Sequence, residues 1–87
     1  MNLIKTDTSQ LYDLVKKRDT SRNFDGNVIS ISKKQSPLLC LANCNKKSDC
    51  LTTVFDQNND CFFYNRYFTE NETIPSETRN MHVKLSN

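Results

Sequence analysis

SPLLCLANCNKKSDCLTTVFDQNNDCFFY, residues Ser36 to Tyr64, carries every cysteine of this 87-residue chain at the spacing Cys40-x3-Cys44-x5-Cys50-x10-Cys61. Its opening reads as a helix. Ser36 is a good N-cap, Pro37 suits the first helical position, and apolar residues with Ala42 run on to Cys44. Positions 37, 38, 40, 41 and 44 follow helical spacing, which predicts one face packed on a sheet and an end near Asn45 to Lys47. Leu51-Thr52-Thr53-Val54-Phe55 is β-branched and aromatic, Asp56 to Asp60 is turn chemistry, and Cys61-Phe62-Phe63-Tyr64 returns, so a β-hairpin follows the helix. The four half-cystines read as a disulfide framework with three formal pairings. Cys40 and Cys44 lie on the same helix face and point the same way, which disfavours a bond between them. Two pairings stay open on these grounds.

Size sets the role of such staples. A chain this short buries only a little over about 60% of its unfolded surface, so its core is thin and covalent links matter. Disulfides persist in oxidising compartments, which argues for an extracellular, periplasmic or secretory-lumen setting. Met1 to Gln10 lacks the apolar run of a signal peptide, and no stretch reaches the ~18 apolar residues of a membrane span. We therefore expect a domain excised from a longer secreted or membrane-anchored protein. Asn71-Glu72-Thr73 is an N-glycosylation sequon in a polar stretch, in keeping with that setting. Twelve basic against ten acidic residues, a formal net charge of +2, does not point to nucleic acid as a partner.

Working outward from the core stretch, residues 1–10 read as a flexible lead and residues 11–87 as a single domain. Leu11 to Lys17 fits a short helix as readily as a strand, and strand is preferred on the resemblance given below. The Lys-Lys-Arg-Asp-Thr-Ser run after it reads as a loop. Phe24-Asp25-Gly26-Asn27 is a turn signal that places the only glycine where a positive φ is cheapest, and Val28-Ile29-Ser30-Ile31-Ser32 follows as a strand. Thr69 to Arg79 reads as a polar loop. Met81-His82-Val83-Lys84-Leu85 alternates apolar and polar, the pattern of a half-buried closing strand.

These residues resemble the core of the PAN, or apple, domain family. The likeness rests on a helix with Cys-x3-Cys, a third cysteine after a short loop, a strand ending in Phe55, a turn, and Cys61 followed by Phe62, Phe63 and Tyr64. Phe24 to Ser30 also resembles the segment before the family's helix. The resemblance covers roughly residues 11 to 86, of which 36 to 64 is specific. It implies a small antiparallel sheet with one helix across it, and it implies bonds from Cys40 to Cys61 and from Cys44 to Cys50, the nested pairing that we take as the working hypothesis. Cys61 and Phe63 would then share the face under the helix. The chain lacks the first and sixth cysteines of apple domains, as the shorter PAN variant does. Thr53 stands where the family often has a larger apolar residue, which predicts a thinner core or a different buried face.

Four thiolates can hold zinc, but such sites usually come as two close cysteine pairs on turns, and here Cys40 and Cys44 sit within a helix. Asp56, Asn58 and Asp60 alternate as calcium ligands do, without the glycine and distant glutamate of an EF-hand loop. His82, the only histidine, alternates away from Met81 and Val83 and reads as a solvated residue rather than a catalytic one. Neither an enzyme nor a bound cofactor is expected. Lys33-Lys34 and Lys46-Lys47 bracket the helix with positive charge of the kind that holds sulfated glycans, and the resemblance implies the same, since some PAN-type domains bind heparin-like chains there. Lys16, Lys17 and Arg18 form a third cluster. Arg66, Tyr67 and Phe68 follow the hairpin with the aromatic-beside-arginine composition that interfaces favour, and Tyr67 and Phe68 read equally as completing a thin core.

The expectation is an α+β fold, with about five antiparallel strands and one helix clamped by two disulfides. Its expected function is non-enzymatic recognition of an extracellular protein or a glycan, sulfated glycans included. The alternative is a small secreted disulfide-rich effector or inhibitor acting alone. A third reading, an intracellular zinc-binding domain, requires free thiolates.

Overall fold

The computed structural model describes residues 3–5, 11–15, 17–21, 24–33 and 36–85. Lys16 and Lys34 lie outside the described residues, as does most of the stretch read as a lead. The described elements are β1 (Leu3–Lys5), β2 (Leu11–Val15), β3 (Arg18–Thr20), β4 (Val28–Ser32), α1 (Pro37–Asn45), β5 (Thr52–Asp56), β6 (Cys61–Tyr64), β7 (Thr73–Pro75) and β8 (Arg79–Lys84). Six strands form one antiparallel sheet in the order β1-β2-β8-β5-β6-β4, and β3 pairs with β7 in a separate ribbon. The fold is α+β, with one helix laid on the sheet.

Local chemistry explains the hairpin at its centre. The Asp56 carboxylate accepts the N–H groups of Asn58 at 2.9 Å and Asp60 at 3.1 Å, and Asn59 takes a left-handed φ of 66°, which asparagine tolerates better than most residues. The turn fixes the register. Thr53 thereby faces Phe63 on one side and His82 on the other, while Val54 faces Phe62 and Met81. Residues directly opposite in an antiparallel ladder share a face. The sheet thus has two distinct faces, and both are covered.

On the first face α1 sets Cys40, Leu41 and Cys44 over Cys61, Phe63, Tyr12 and Cys50, all fully buried. Cys40 is bonded to Cys61 with Cα atoms 6.0 Å apart, and Cys44 to Cys50 at 5.4 Å. The Tyr12 hydroxyl donates towards the Leu41 carbonyl at 3.3 Å and lies against the Asn45 side chain, tying the end of α1 to β2. Thr53 is buried on this face, its hydroxyl 3.8 Å from the Cys50 sulfur. On the second face Phe24, Val54, Tyr64 and Met81 form another core, with Val28, Phe62, Phe68 and Val83 packed against it.

Several expectations are corrected. Leu3–Lys5, within the stretch read as a flexible lead, is an edge strand paired with β2, which helps raise the sheet from about five strands to six. The loop expected over Thr69 to Arg79 contains a 3-10 turn at Glu70–Glu72, then β7 and the start of β8. Its partner β3 falls in the second expected loop. Neither Arg-Asp-Thr nor Thr-Ile-Pro has an alternating apolar pattern, and both are held by pairing and polar links: Arg18 Nη2 donates to Thr73 Oγ1 at 2.8 Å, and the Ser21 N–H to the Glu72 carbonyl at 2.8 Å. Gly26 sits in a 3-10 turn without a positive φ; among the described residues the left-handed ones are Lys17 and Asn59.

The two bridges close loops of different length, with sequence separations of 21 and 6. Loop entropy assigns about 3 kcal/mol to the longer and about 2 kcal/mol to the shorter. Urea denaturation is therefore expected to show a larger loss for the Cys40→Ala/Cys61→Ala pair than for Cys44→Ala/Cys50→Ala. The reverse order would mean that the helix is held chiefly by its own loop.

Candidate functional site

The sequence of α1 dictates what it shows to solvent. Ser36 Oγ accepts the Leu39 N–H at 3.3 Å and Pro37 opens the helix, so its first turn is well fixed. At about 100° per residue, burying Cys40, Leu41 and Cys44 leaves other apolar positions turned away. Leu38 is 63% exposed and Leu39 54%. Leu38, grouped by spacing with the packed face, is thus on the outside.

Basic residues stand at both ends of this helix. Lys33, exposed, precedes it and places Nζ 3.4 Å from Asp60, the neighbour of Cys61. Lys46 caps its far end in the open, and Lys47 lies with Nζ 5.5 Å from the Phe63 ring centroid. Lys84 donates to the Cys44 carbonyl at 3.4 Å, where the helix dipole favours a cation; burial pushes its pKa down, against the pull of Asp49. The helix is about 13 Å long. The lysines therefore bracket an apolar patch rather than form one cluster.

Arg66 is placed differently. Its guanidinium carbon lies 4.9 Å from the Phe24 ring centroid and 5.1 Å from that of Phe68, and Nη2 pairs with the Glu72 carboxylate. Phe68 in turn meets Phe24 and Tyr64 edge-on at 4.8 and 5.2 Å. Glu72 accepts the Thr69 N–H at 2.9 Å; that hydrogen bond, with those from the Thr69 hydroxyl and Arg66 and the Arg66 charge, holds its pKa down. Arg66 and Phe68 belong to the second core. Tyr67 remains 46% exposed, its hydroxyl donating to the Lys84 carbonyl at 2.9 Å. Asn71 is exposed on the 3-10 turn.

The remaining chemistry-bearing residues take structural positions. All four cysteines are in bridges, so no thiolate is left for zinc. Asp56 is occupied by backbone N–H groups and Asp60 pairs with Lys33, which leaves their expected calcium-like alternation serving the turn. His82 is not solvated: it is 3% exposed on the helix side of β8, opposite Thr53 and Leu14. Alternation misleads there because the sheet is covered on both faces. Nδ1 has no hydrogen-bond partner, and burial lowers the pKa to about 4.

No family model matches this sequence, and no curated protein matches it.

The folded pKa of His82 lies below its unfolded value of 6.5, so the unfolded chain binds the extra proton first and stability falls as pH drops from 6.5 towards 4. The expected loss by pH 4.5 is about 2–3 kcal/mol, and His82→Leu should flatten that window in urea titrations. Equal pH dependence in both proteins would refute the assignment. Arg66→Met should destabilise by about 1–2 kcal/mol, from two ring contacts and one ion pair, read as a lowered urea midpoint without a change in slope.

Proposed function

We propose that this chain is a non-enzymatic recognition module of the extracellular space, binding a protein or a glycan through the outer face of α1 on behalf of a larger secreted or membrane-anchored protein. The observation that carries the reading is the pairing of Leu38 and Leu39, both more than half exposed, with Lys33 and Lys46 at the two ends of a helix that is bolted to the sheet. A rigid apolar patch rimmed by charge is a surface suited to a partner.

The oxidising setting implied by two buried bridges supports the extracellular assignment, and no helix among the described residues is long and apolar enough to cross a membrane. The PAN-like cysteine and aromatic pattern points to the same class of function. Within it the basic residues favour acidic partners, an acidic protein surface or a sulfated glycan chain. Arg66, engaged with Phe24, Phe68 and Glu72, contributes to this face only by holding the fold.

The test is a disulfide-intact, multivalent fusion of the domain screened against extracellular proteins and a glycan array. Leu38→Asp/Leu39→Asp is expected to weaken a protein partner at least tenfold, about 1.4 kcal/mol. Lys33→Ser/Lys46→Ser/Lys47→Ser should elute from a heparin column at lower salt than the parent. Unchanged elution removes the sulfated-glycan branch, and failure to bind either class of ligand removes the recognition reading.

A further inference from the structure

A groove of about 350 Å³ opens on the side of the sheet away from α1. Met81 and Val83 of β8 line it, with Phe68, Thr69, Glu70 and Thr73 from the segment crossing this face and Arg18 from β3. Four of these residues flank a single position: Phe68, Thr69 and Glu70 stand three, two and one places before Asn71, and Thr73 two places after it. Asn71 is itself exposed. The turn that carries it is pinned, with the Thr69 N–H donating to Glu72, Thr73 Oγ1 donating to the Glu70 carbonyl at 2.9 Å, and Arg18 donating to Thr73 Oγ1.

We propose that this groove seats the first N-acetylglucosamine of a glycan attached to Asn71. The proposal rests on the reading of Asn71-Glu72-Thr73 as an acceptor in a secretory lumen. There the Asn71 amide nitrogen bonds to the anomeric carbon of a lipid-pyrophosphate-linked oligosaccharide. The bond from that carbon to the phosphate oxygen breaks, the lipid pyrophosphate departs, and the amide gives up one proton. The host transferase acts on the nascent chain, before the turn closes over its sequon.

Complementarity picks the occupant. N-acetylglucosamine has a C–H-lined ring face and an acetamide methyl, which suit Met81, Val83 and Phe68. It also has hydroxyl and amide groups, which suit the Arg18 guanidinium, the Glu70 carboxylate and the Thr69 hydroxyl. The groove is near the lower end of the size range for small-molecule sites, so it fits one sugar ring, and the later sugars run out into solvent. Tethering at Asn71, one residue along the chain from the lining residue Glu70, supplies a high effective concentration, so a contact too weak to capture the free sugar is filled when the sugar is attached.

The test uses the full chain secreted from eukaryotic cells, beside Asn71→Gln, with the glycan trimmed enzymatically to a single N-acetylglucosamine and occupancy read by intact mass. The trimmed protein is expected to melt at least about 4 °C above Asn71→Gln. Val83→Phe, which fills the groove, should erase most of that difference. In protein labelled at the methionine methyls, Met81 should show nuclear Overhauser contacts to the sugar, a readout that stands even where Val83→Phe does not fold. An unmodified Asn71 overturns the acceptor reading and the proposal with it. An occupied Asn71 with no melting difference and no Met81 contact overturns the groove assignment and leaves the recognition reading on α1 untouched.

Discussion

A nine-residue helix does not hold itself together in water, and α1 buries only Cys40, Leu41 and Cys44; its place on the sheet therefore depends on the covalent bond from Cys40 to Cys61 of β6. That bond does more than close a loop. It sets the helix over the centre of the sheet, where Phe63 and Tyr12 complete the buried layer. Two of the helix's three buried side chains are half-cystines, so covalent attachment takes the place of a broad apolar contact. The consequence appears on the outside of the same helix: Leu38 and Leu39 are not required for docking and are left in solvent.

The second face of the sheet is held by different means. No disulfide reaches it. Phe24, Val54, Tyr64 and Met81 are covered by a segment whose own residues are mostly polar, anchored where Phe68 meets Phe24 and Tyr64 edge-on. A polar cover of that kind stays in place only if its charges are answered. Arg66 answers Glu72 while lying over the two rings, and the ribbon of β3 and β7 is fastened to β8 where Asp19 lies 3.3 Å from Arg79. The molecule is thus a sheet between two layers, one covalently fixed and one fixed by aromatic and ionic contacts.

Much of the first layer was legible in the sequence. Ser36-Pro37 marks the start of α1, the β-branched and aromatic runs mark β5 and β6, and Asp56 to Asp60 marks the turn between them, because each signal is local. The second layer was not. Arg18–Thr20 and Thr73–Pro75 become strands only by pairing with each other over 50 residues of chain separation, and nothing in either short polar segment states that. His82 and Leu38 fail for a related reason. Period-2 and 3.6-residue patterns report which positions share a face, but they are silent on whether that face meets water, a helix or a loop. Of the candidate binding residues, Lys33 and Lys46 are where spacing suggested, at the ends of the helix, whereas Arg66 is drawn into the second core by the ring of Phe24, distant in sequence, together with that of the nearby Phe68.

The division between arginine and lysine in this chain follows from their chemistry. A guanidinium is flat, weakly hydrated and able to lie on a ring while bonding a carboxylate, whereas an ammonium is a compact charge that keeps its water. Among the described residues Arg18, Arg66 and Arg79 all point inward on the second face, to Thr73, to Phe24 with Phe68 and Glu72, and to Phe62 with Asp19. Lys33 and Lys46 stand out in solvent around α1. Arginines therefore build the layer that carries the sequon turn, and Lys33 and Lys46 furnish the charge beside the exposed leucines. A surface change around α1 alters what the molecule can meet without loosening its core. A change at any of these three arginines acts first on the layer that shapes the Asn71 groove, even where its charge contacts no ligand at all.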